Sequence, residues 1–153
     1  MSWKVDESNR TITVSVTELC SEELCSGSLN LLPFREIRGE LGREAHKRYQ
    51  SEQAKIFSEY RYEVPFCYEC LIEGFRIIIQ GRLDGVLLNQ DKWVVEEIKS
   101  TLRSVKTGDL SLVHSKYLLQ LKLYLYFWSK IKKTKNVRGQ LVIINCTNFQ
   151  RVF

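Results

Sequence analysis

The spacing of apolar residues changes several times along this chain, and these changes mark the boundaries of the predicted helices and strands. A long first stretch has apolar side chains at the three- and four-residue spacing of a helix, whereas the next runs are short, as in buried strands. A later helix is apolar on most of its surface and is expected to be well buried. The predicted elements are a helix over about 29–60, strands over about 60–67, 77–88 and 93–99, a helix over about 113–133 and a strand over about 137–146.

Two features of the N-terminal part concern helix boundaries. Ser15-Val-Thr-Glu18 has the pattern of a capping box, in which serine and glutamate side chains bind free N–H groups at a helix start. We expect a short helix from here to Gly27, because glycine commonly ends helices. Pro33 and Gly39 leave two starts open for the long helix, one near Leu29 and one near Gly39.

The second and third predicted strands are expected to form a hairpin that turns at Gln90-Asp91. In this register Val86 pairs with Val95 on an apolar face, and Asp84 lies opposite Glu97. Gln-Asp is a poor two-residue turn, because the primed turns favour Asn-Gly or Asp-Gly. A longer loop or a bulge would shift the pairing by one residue and turn every side chain to the other face, so the register stays open.

Asp84, Glu97 and Lys99 are the candidates for chemistry. Residues two apart on a strand point to the same face, so Glu97 and Lys99 project side by side while Ile98 points away. Directly opposed Cβ atoms lie about 4.5–5.5 Å apart, so the two carboxylates could bind one hard cation beside an ammonium group. A carboxylate inside an apolar strand also needs a partner or a metal. This pattern is typical of a metal-dependent phosphodiesterase; the alternative is an exposed aspartate and a surface ion pair.

Composition sets only broad limits. A chain of 153 residues can bury a core as one domain, and 23 Lys plus Arg against 18 Asp plus Glu give a net charge of +5, which suits a polyanionic partner without identifying it. With no run of about 18 apolar residues and no signal-peptide pattern, we expect no membrane partner and a cytoplasmic or other intracellular location. Phe153 closely follows the last predicted strand, so residues 1–153 are expected to be either a complete domain or part of a longer one.

Five cysteines raise a second kind of metal site. Cys67 and Cys70 have the spacing of a zinc-binding pair, and Cys20 and Cys25 could supply the other two ligands that structural zinc needs. The wider gap and helical context of the earlier pair weaken this interpretation. Reduced thiols that are buried or incidental are favoured in an intracellular protein.

Three motifs in a fixed order resemble the RecB-like branch of the PD-(D/E)XK nuclease superfamily. They are Gly-x-x-x-His on the long helix, an aspartate followed by Glu-x-Lys on adjoining strands, and Gln-x-x-x-Tyr on the next helix. In this chain they are Gly42-Arg-Glu-Ala-His46, Asp84 with Glu97-Ile98-Lys99, and Gln120-Leu-Lys-Leu-Tyr124, and Tyr62-Glu-Val-Pro-Phe66 also resembles the first strand of that family. The resemblance implies a restriction-endonuclease-like α-β-β-β-α-β core, with a mixed central sheet flanked by helices.

The resemblance also implies roles for these residues. His46, Asp84, Glu97 and the backbone carbonyl of Ile98 would bind Mg²⁺, which keeps several waters in its shell, or Mn²⁺, which suits an imidazole ligand. The catalytic residues would be Asp84, Glu97 and Lys99, with Lys99 orienting the attacking water or stabilising the developing negative charge. The alternative for His46 is a core histidine whose hydrogen bonds are satisfied.

Gln120 and Tyr124 share one face of their helix, because they lie four residues apart. By the resemblance they bind the nucleic-acid backbone or brace the site. The alternative is a core tyrosine with an amide near its hydroxyl group. His114, at the start of the same helix, could approach the site or lie on the surface.

The implied activity is metal-dependent hydrolysis of DNA, by an exonuclease that acts on single-stranded DNA or DNA ends in repair. The N-terminal part also resembles nuclease domains that precede XPD-type helicases. No Gly-rich loop with Lys-Ser/Thr occurs in these residues, so they encode no motor and a helicase partner would have to come from elsewhere. Relatives with iron–sulfur clusters, including CRISPR adaptation nucleases, carry several cysteines after the last motif. Only Cys146 lies in that region, so no iron–sulfur cluster is expected. The alternative function is a nucleic-acid-binding or assembly module of a larger helicase–nuclease complex.

Overall fold

Six strands and three α-helices make up the described part of the chain. The computed structural model describes residues 3–21, 32–103 and 107–153. The predicted class is confirmed, since a mixed sheet is flanked by helices. None of the helices in these residues is long and apolar enough to cross a membrane. The strands are β1 (Lys4–Asp6), β2 (Thr11–Ser15), β3 (Tyr60–Ile72), β4 (Phe75–Asn89), β5 (Lys92–Thr101) and β6 (Val137–Asn145), and the helices are α1 (Val16–Ser21), α2 (Leu32–Ile56) and α3 (Ser115–Ile131).

β4 is the longest strand, and its two edges are used differently. β3 pairs antiparallel along one edge of β4. On the other edge, β2 pairs parallel as far as Gln80, and β5 pairs antiparallel from Gly85 onward. Between these two residues no described strand pairs with this edge, so the sheet forks there. β1 and β6 extend the two arms of the fork, beyond β2 and β5 respectively.

The β4–β5 hairpin has the predicted register. Val86 pairs with Val95, and the two strands are joined by Gln90 and Asp91 alone. Both turn residues have positive φ, 46° and 63°, as a hairpin turn with two left-handed residues requires. The side-chain amide of Asn136 also donates a hydrogen bond to the Asp91 carbonyl (3.0 Å). The apolar cross-strand pairs therefore impose a tight turn on two residues that do not favour it.

The sheet separates two apolar layers. Along β6, Leu141 and Ile143 pack on the face covered by α1 and α3. The alternate residues Val142 and Ile144 pack on the other face, with Ala45 of α2. Because α2 and α3 cover opposite faces, their side chains reach the fork from opposite sides.

The alternation of side chains along β4 breaks once, next to the fork. Gly81 faces α3, because a Cβ there would lie 3.0 Å from the ring of Tyr124. Gly85 faces α2, because a Cβ there would lie 2.8 Å from the carboxylate of Glu96, and Tyr49 of α2 donates a hydrogen bond to that carboxylate. Residues four apart on a regular strand share a face. One position of the alternation is therefore lost between these glycines.

β3 carries the matching irregularity. Glu63 has φ 53°, and the pair Glu63–Asp84 is the one missing from an otherwise continuous ladder between β3 and β4. Both strands lose one position of their side-chain alternation at this pair, so the pairing register is the same on either side of it. This irregularity at Glu63 and Asp84 is called the slip below. Asp84 lies at the slip.

The structure confirms one predicted helix start and corrects another. The capping box is confirmed, since Glu18 N–H donates to the Ser15 hydroxyl (3.1 Å) and Ser15 N–H donates to the Glu18 carboxylate (2.8 Å). The start near Gly39 is wrong, because α2 is already helical at Leu32. The predicted helix end at Gly27 lies outside the described residues.

β3 and β4 are longer than predicted, and the strands β1 and β2 were not predicted at all. β3 continues beyond Cys67 to Ile72, where the Glu73-Gly74 turn with positive φ at both residues leads into β4. β1 and β2 have three and five residues, too few for a clear periodic signal. β2 is instead stabilised by parallel pairing with β4, which is remote in sequence.

Asp91→Gly should stabilise the protein by up to about 1 kcal/mol, because glycine adopts this left-handed conformation without Cβ strain. Urea unfolding measures the change. Asp91→Ala is the matched control, since it removes the same carboxylate but keeps the Cβ atom. An equal gain from alanine would show that the side chain, and not the backbone conformation, is responsible.

Candidate active site

The fork in the sheet opens into a cleft of about 480 Å³. β4 and β5 contribute its acidic and basic groups, and α2 and α3 contribute one side each. The structure thus brings all three sequence motifs into one place. The six predicted site residues with side-chain roles all line this cleft: His46, Asp84, Glu97, Lys99, Gln120 and Tyr124.

The side chain of Asp84 takes the place of a missing backbone hydrogen bond between β4 and β5. The backbone pairing between the strands ends at Gly85 and Glu96. One position further, Asp84 Oδ2 accepts a hydrogen bond from the backbone N–H of Ile98 (2.8 Å). The predicted opposition of Asp84 and Glu97 therefore continues the observed register, with a side chain in place of the backbone bond. Binding of a metal by the Ile98 carbonyl stays a prediction.

Glu97 is a carboxylate buried to 1% exposure. Lys99 Nζ lies 2.5 Å from its Oε1 as a close ion pair. The other oxygen, Oε2, has no hydrogen-bond donor among the described residues. Burial of a carboxylate oxygen without a donor is unfavourable. Oε2 is thus available to a cation, while Oε1 is occupied by Lys99.

α2 lies close to β5 at Gly42. A Cβ at Gly42 would lie 2.9 Å from the hydroxyl oxygen of Ser100 on β5, so a larger residue would require the Ser100 hydroxyl to rotate or α2 to move away. His46 lies one turn further along α2. Burial lowers the pKa of His46, although the Asp84 carboxylate opposes this shift. A neutral imidazole is the form that binds metals.

Gln120 and Tyr124 brace Lys99. Gln120 Oε1 accepts a hydrogen bond from Lys99 Nζ (3.3 Å), and Gln120 Nε2 donates to the Tyr124 hydroxyl (3.3 Å). Lys99 Nζ also lies 5.2 Å from the ring centre of Tyr117. Gln120 and Tyr124 are only 8% and 3% exposed, which suits bracing. Direct contact with nucleic acid stays a prediction for both.

Burial raises the pKa of both site carboxyl groups. The pKa of Glu97 rises to about 7, first through burial and then through the nearby Asp84 carboxylate, while Lys99 opposes the rise. Burial also raises the pKa of Asp84, although the Ile98 N–H opposes this. Each carboxylate therefore makes ionisation of the other less favourable, and a shared cation would reverse that effect.

The donor set suits a hard divalent cation, but the side chains do not form a preorganised site. Carboxylate oxygens are the ligands that Mg²⁺ prefers, and an imidazole beside them also suits Mn²⁺. Across residues 3–21, 32–103 and 107–153, no three His, Cys, Asp or Glu side chains are grouped closely enough to hold a metal ion.

A second buried glutamate, next to Glu97 in sequence, was missed. Glu96 points to the opposite face, where its carboxylate accepts hydrogen bonds from Tyr49 (3.1 Å) and Tyr60 (2.8 Å). Burial raises its pKa, while these two hydroxyl groups oppose the rise. The Glu-Glu pair in an apolar strand was the available signal, because alternation sends one glutamate to each face. Glu96 joins α2 and β3 to β5.

Gln50 was also missed. Its side-chain amide donates a hydrogen bond to the backbone carbonyl of Asp84 (2.9 Å), although the two residues lie on different elements. Nothing in the sequence marks this glutamine, because it is one of many polar residues on the helix that carries the Gly-x-x-x-His motif.

The cysteine hypothesis gains no support from the geometry. Cys67 and Cys70 lie three residues apart on a regular part of β3, so their side chains leave opposite faces of the strand. Cys20 is buried on α1, and Cys25 lies outside the described residues. The described pair on β3 therefore cannot bind one ion together.

His114 lies on the surface, close to the site. It precedes α3 and lines a smaller cavity of about 190 Å³ together with Arg103 and Tyr117. Lys99 lines both this cavity and the cleft, so the two are neighbours.

Comparisons with known proteins identify a family and a similar solved fold. A sequence model of the PD-(D/E)XK nuclease superfamily matches residues 14–152. The crystal structure of SSO0001 resembles this chain with a TM-score of 0.61 and 25% sequence identity, over 93% of this chain and 65% of SSO0001. The chain thus spans less than two thirds of the length of that protein. No curated protein matches the sequence.

In the absence of metal, the wild-type protein should lose stability as pH rises from 5 to 8, and Glu97→Gln should reduce this loss. The pKa of Glu97 rises from 4.5 to about 7 in the folded protein. Between these values the folded state retains a proton that the unfolded state has released, so rising pH favours unfolding by at most about 3 kcal/mol.

Thermal unfolding in EDTA at the two pH values measures this difference. Glu44→Gln is the matched control, because Glu44 forms an exposed ion pair with Arg48 on α2. Equal pH dependence in the wild type and Glu97→Gln would contradict the raised pKa.

Proposed function

The chain belongs to the PD-(D/E)XK nuclease superfamily, and from this premise we propose that it is a DNA nuclease that hydrolyses phosphodiester bonds with Mg²⁺ or Mn²⁺. One observation carries the proposal. Asp84 and Glu97 line a single cleft at the fork of the sheet, with the ammonium group of Lys99 beside them. This is the charge arrangement that phosphodiester hydrolysis needs, since a cation and an ammonium can both face the scissile phosphate.

In this proposal His46, Asp84 and Glu97 hold the ion, with the carbonyl of Ile98. A bound Mg²⁺ or Mn²⁺ would lower the pKa of a water and neutralise charge on the phosphate. Lys99 stabilises negative charge that develops on the reacting phosphate. Its hydrogen bond to Gln120 keeps the ammonium directed into the cleft.

The depth of the carboxylates favours single-stranded DNA or a DNA end as the substrate. Glu97 is almost fully buried, so the scissile phosphate has to enter the cleft. A single strand is narrower and more flexible than a duplex, so its backbone can follow a groove more deeply. The neighbouring cavity, with Arg103, His114 and Tyr117, offers cationic and aromatic groups to an adjoining nucleotide. We therefore favour exonuclease action on single strands.

A second candidate is a nucleic-acid-binding or assembly module with little or no catalysis. One observation favours it: no described set of three ligating side chains is preorganised for a metal ion. In that case the ion pair between Glu97 and Lys99 would persist with DNA bound. The two candidates differ in cleavage but share DNA binding.

The wild-type protein should degrade labelled linear single-stranded DNA with Mg²⁺ or Mn²⁺, and should not do so with EDTA. Asp84→Asn and Lys99→Met should each lower kcat by at least about 100-fold. Asparagine can still accept the hydrogen bond from Ile98, so loss of activity would reflect the lost charge. Matched controls are Asp6→Asn on the exposed end of β1 and Lys122→Met on the exposed face of α3.

Each outcome separates the candidates. Activity of Asp84→Asn equal to that of the wild type would remove the nuclease proposal. DNA binding without cleavage under either metal would favour the module. Covalently closed single-stranded circles should resist an exonuclease, so their cleavage would show endonuclease action instead.

A further inference from the structure

Gln50 is a buried amide that joins the helix of His46 to the strand of Asp84. It is 2% exposed and lies four residues after His46, on the same side of α2. Its Nε2 donates hydrogen bonds to the backbone carbonyl of Asp84 (2.9 Å) and to Glu63 Oε1 (3.2 Å). Both acceptors lie at the slip between β3 and β4.

The slip explains why Asp84 needs this partner. The Glu63–Asp84 pair is absent from the β3–β4 ladder, and the β4–β5 ladder ends one residue later at Gly85. A backbone carbonyl without a ladder partner in a partly buried position is destabilising unless another donor binds it. The amide of Gln50 supplies that donor.

Asp84 is consequently held at two points. Gln50 binds its backbone carbonyl, and its side-chain Oδ2 accepts the Ile98 N–H. The first contact sets where the residue lies relative to α2, and the second sets the direction of the carboxylate. A backbone free to move at the slip would displace the carboxylate from Ile98 and from the cleft.

We propose that Gln50 is a positioning residue that holds Asp84, and with it the spacing between Asp84 and His46, in the geometry of the site. Glu63 completes the arrangement, because its carboxylate accepts from the same amide and also forms an ion pair with Arg82 (2.6 Å). The structural part of this proposal stands on the hydrogen bonds alone. Its kinetic consequence rests on the proposed nuclease function.

Gln50→Met tests the proposal, because methionine keeps the length and packing of the side chain but has no N–H donor. The first measurement is amide hydrogen exchange, which needs neither metal nor DNA. Exchange at Ile98 should become about tenfold faster, since the carboxylate that binds this N–H is no longer held. Exchange at Ile143 of β6, whose N–H donates to the Phe153 carbonyl (3.0 Å), reports on the rest of the sheet and should stay the same. Gln53→Met, on the same helix, is the matched control.

Gln50→Glu should be more harmful than Gln50→Met. It keeps the size of the side chain but directs an acceptor at the carbonyl of Asp84 and at the carboxylate of Glu63. In the nuclease assay both variants should lower kcat, by about tenfold for methionine, with little change in KM for DNA. A role in packing alone would leave Gln50→Met like the wild type.

The two measurements separate failure of this inference from failure of the proposed function. Unchanged Ile98 exchange in Gln50→Met, in a protein that melts like the wild type, would overturn the positioning role. Equal acceleration at Ile98 and Ile143 would overturn it too, since it would show general destabilisation. If the wild type does not cleave DNA while Ile98 exchange responds selectively, the positioning role stands and only the nuclease proposal fails.

Discussion

The Glu97 carboxylate is buried where the sheet forks, and the rest of the site is arranged around this charge. Removal of a carboxylate from water costs several kcal/mol unless an opposite charge compensates. Lys99 supplies that charge at 2.5 Å, and Gln120 holds the ammonium from the far side. Oε2 of Glu97 has no hydrogen-bond donor among the described residues. Its neighbour Glu96 differs, because two tyrosine hydroxyl groups satisfy it. Strand alternation thus places the two adjacent glutamates on opposite faces, Glu96 between two tyrosines and Glu97 in the cleft.

The fork exists because the long strand β4 pairs with two different strands, β2 and β5, along the same edge. β2 leaves β4 at Gln80 and β5 joins it at Gly85, so the intervening residues have an open edge on which a cleft can form. Helices on both faces then reach this edge. α2 lies close to β5 at Gly42, and Gln50 fastens that helix to Asp84. The site therefore depends on packing between elements that are far apart in the chain.

Membership of a nuclease superfamily and the geometry of the cleft support each other from independent directions. The sequence model covers nearly the whole chain, and the similar solved structure shares the fold. The cleft contributes what a family match cannot, namely which charges face each other and which lack partners. Burial raises the pKa of Glu97 to about 7, so its ionised form is disfavoured in the folded protein, and a nearby cation would favour that form.

Features that depend on neighbouring residues along the chain follow from the amino-acid order alone. The capping box at Ser15, the apolar pairs of the β4–β5 hairpin and the order of the three motifs were all predictable, because each follows from local spacing and periodicity. The place where side chains stop alternating along β3 and β4 is visible only in the folded protein. The slip at Glu63 and Asp84, the parallel pairing of β2 and the partner of Gln50 arise from contacts between remote segments. Periodicity assumes a regular strand, so it cannot locate the one residue at which two strands slip together.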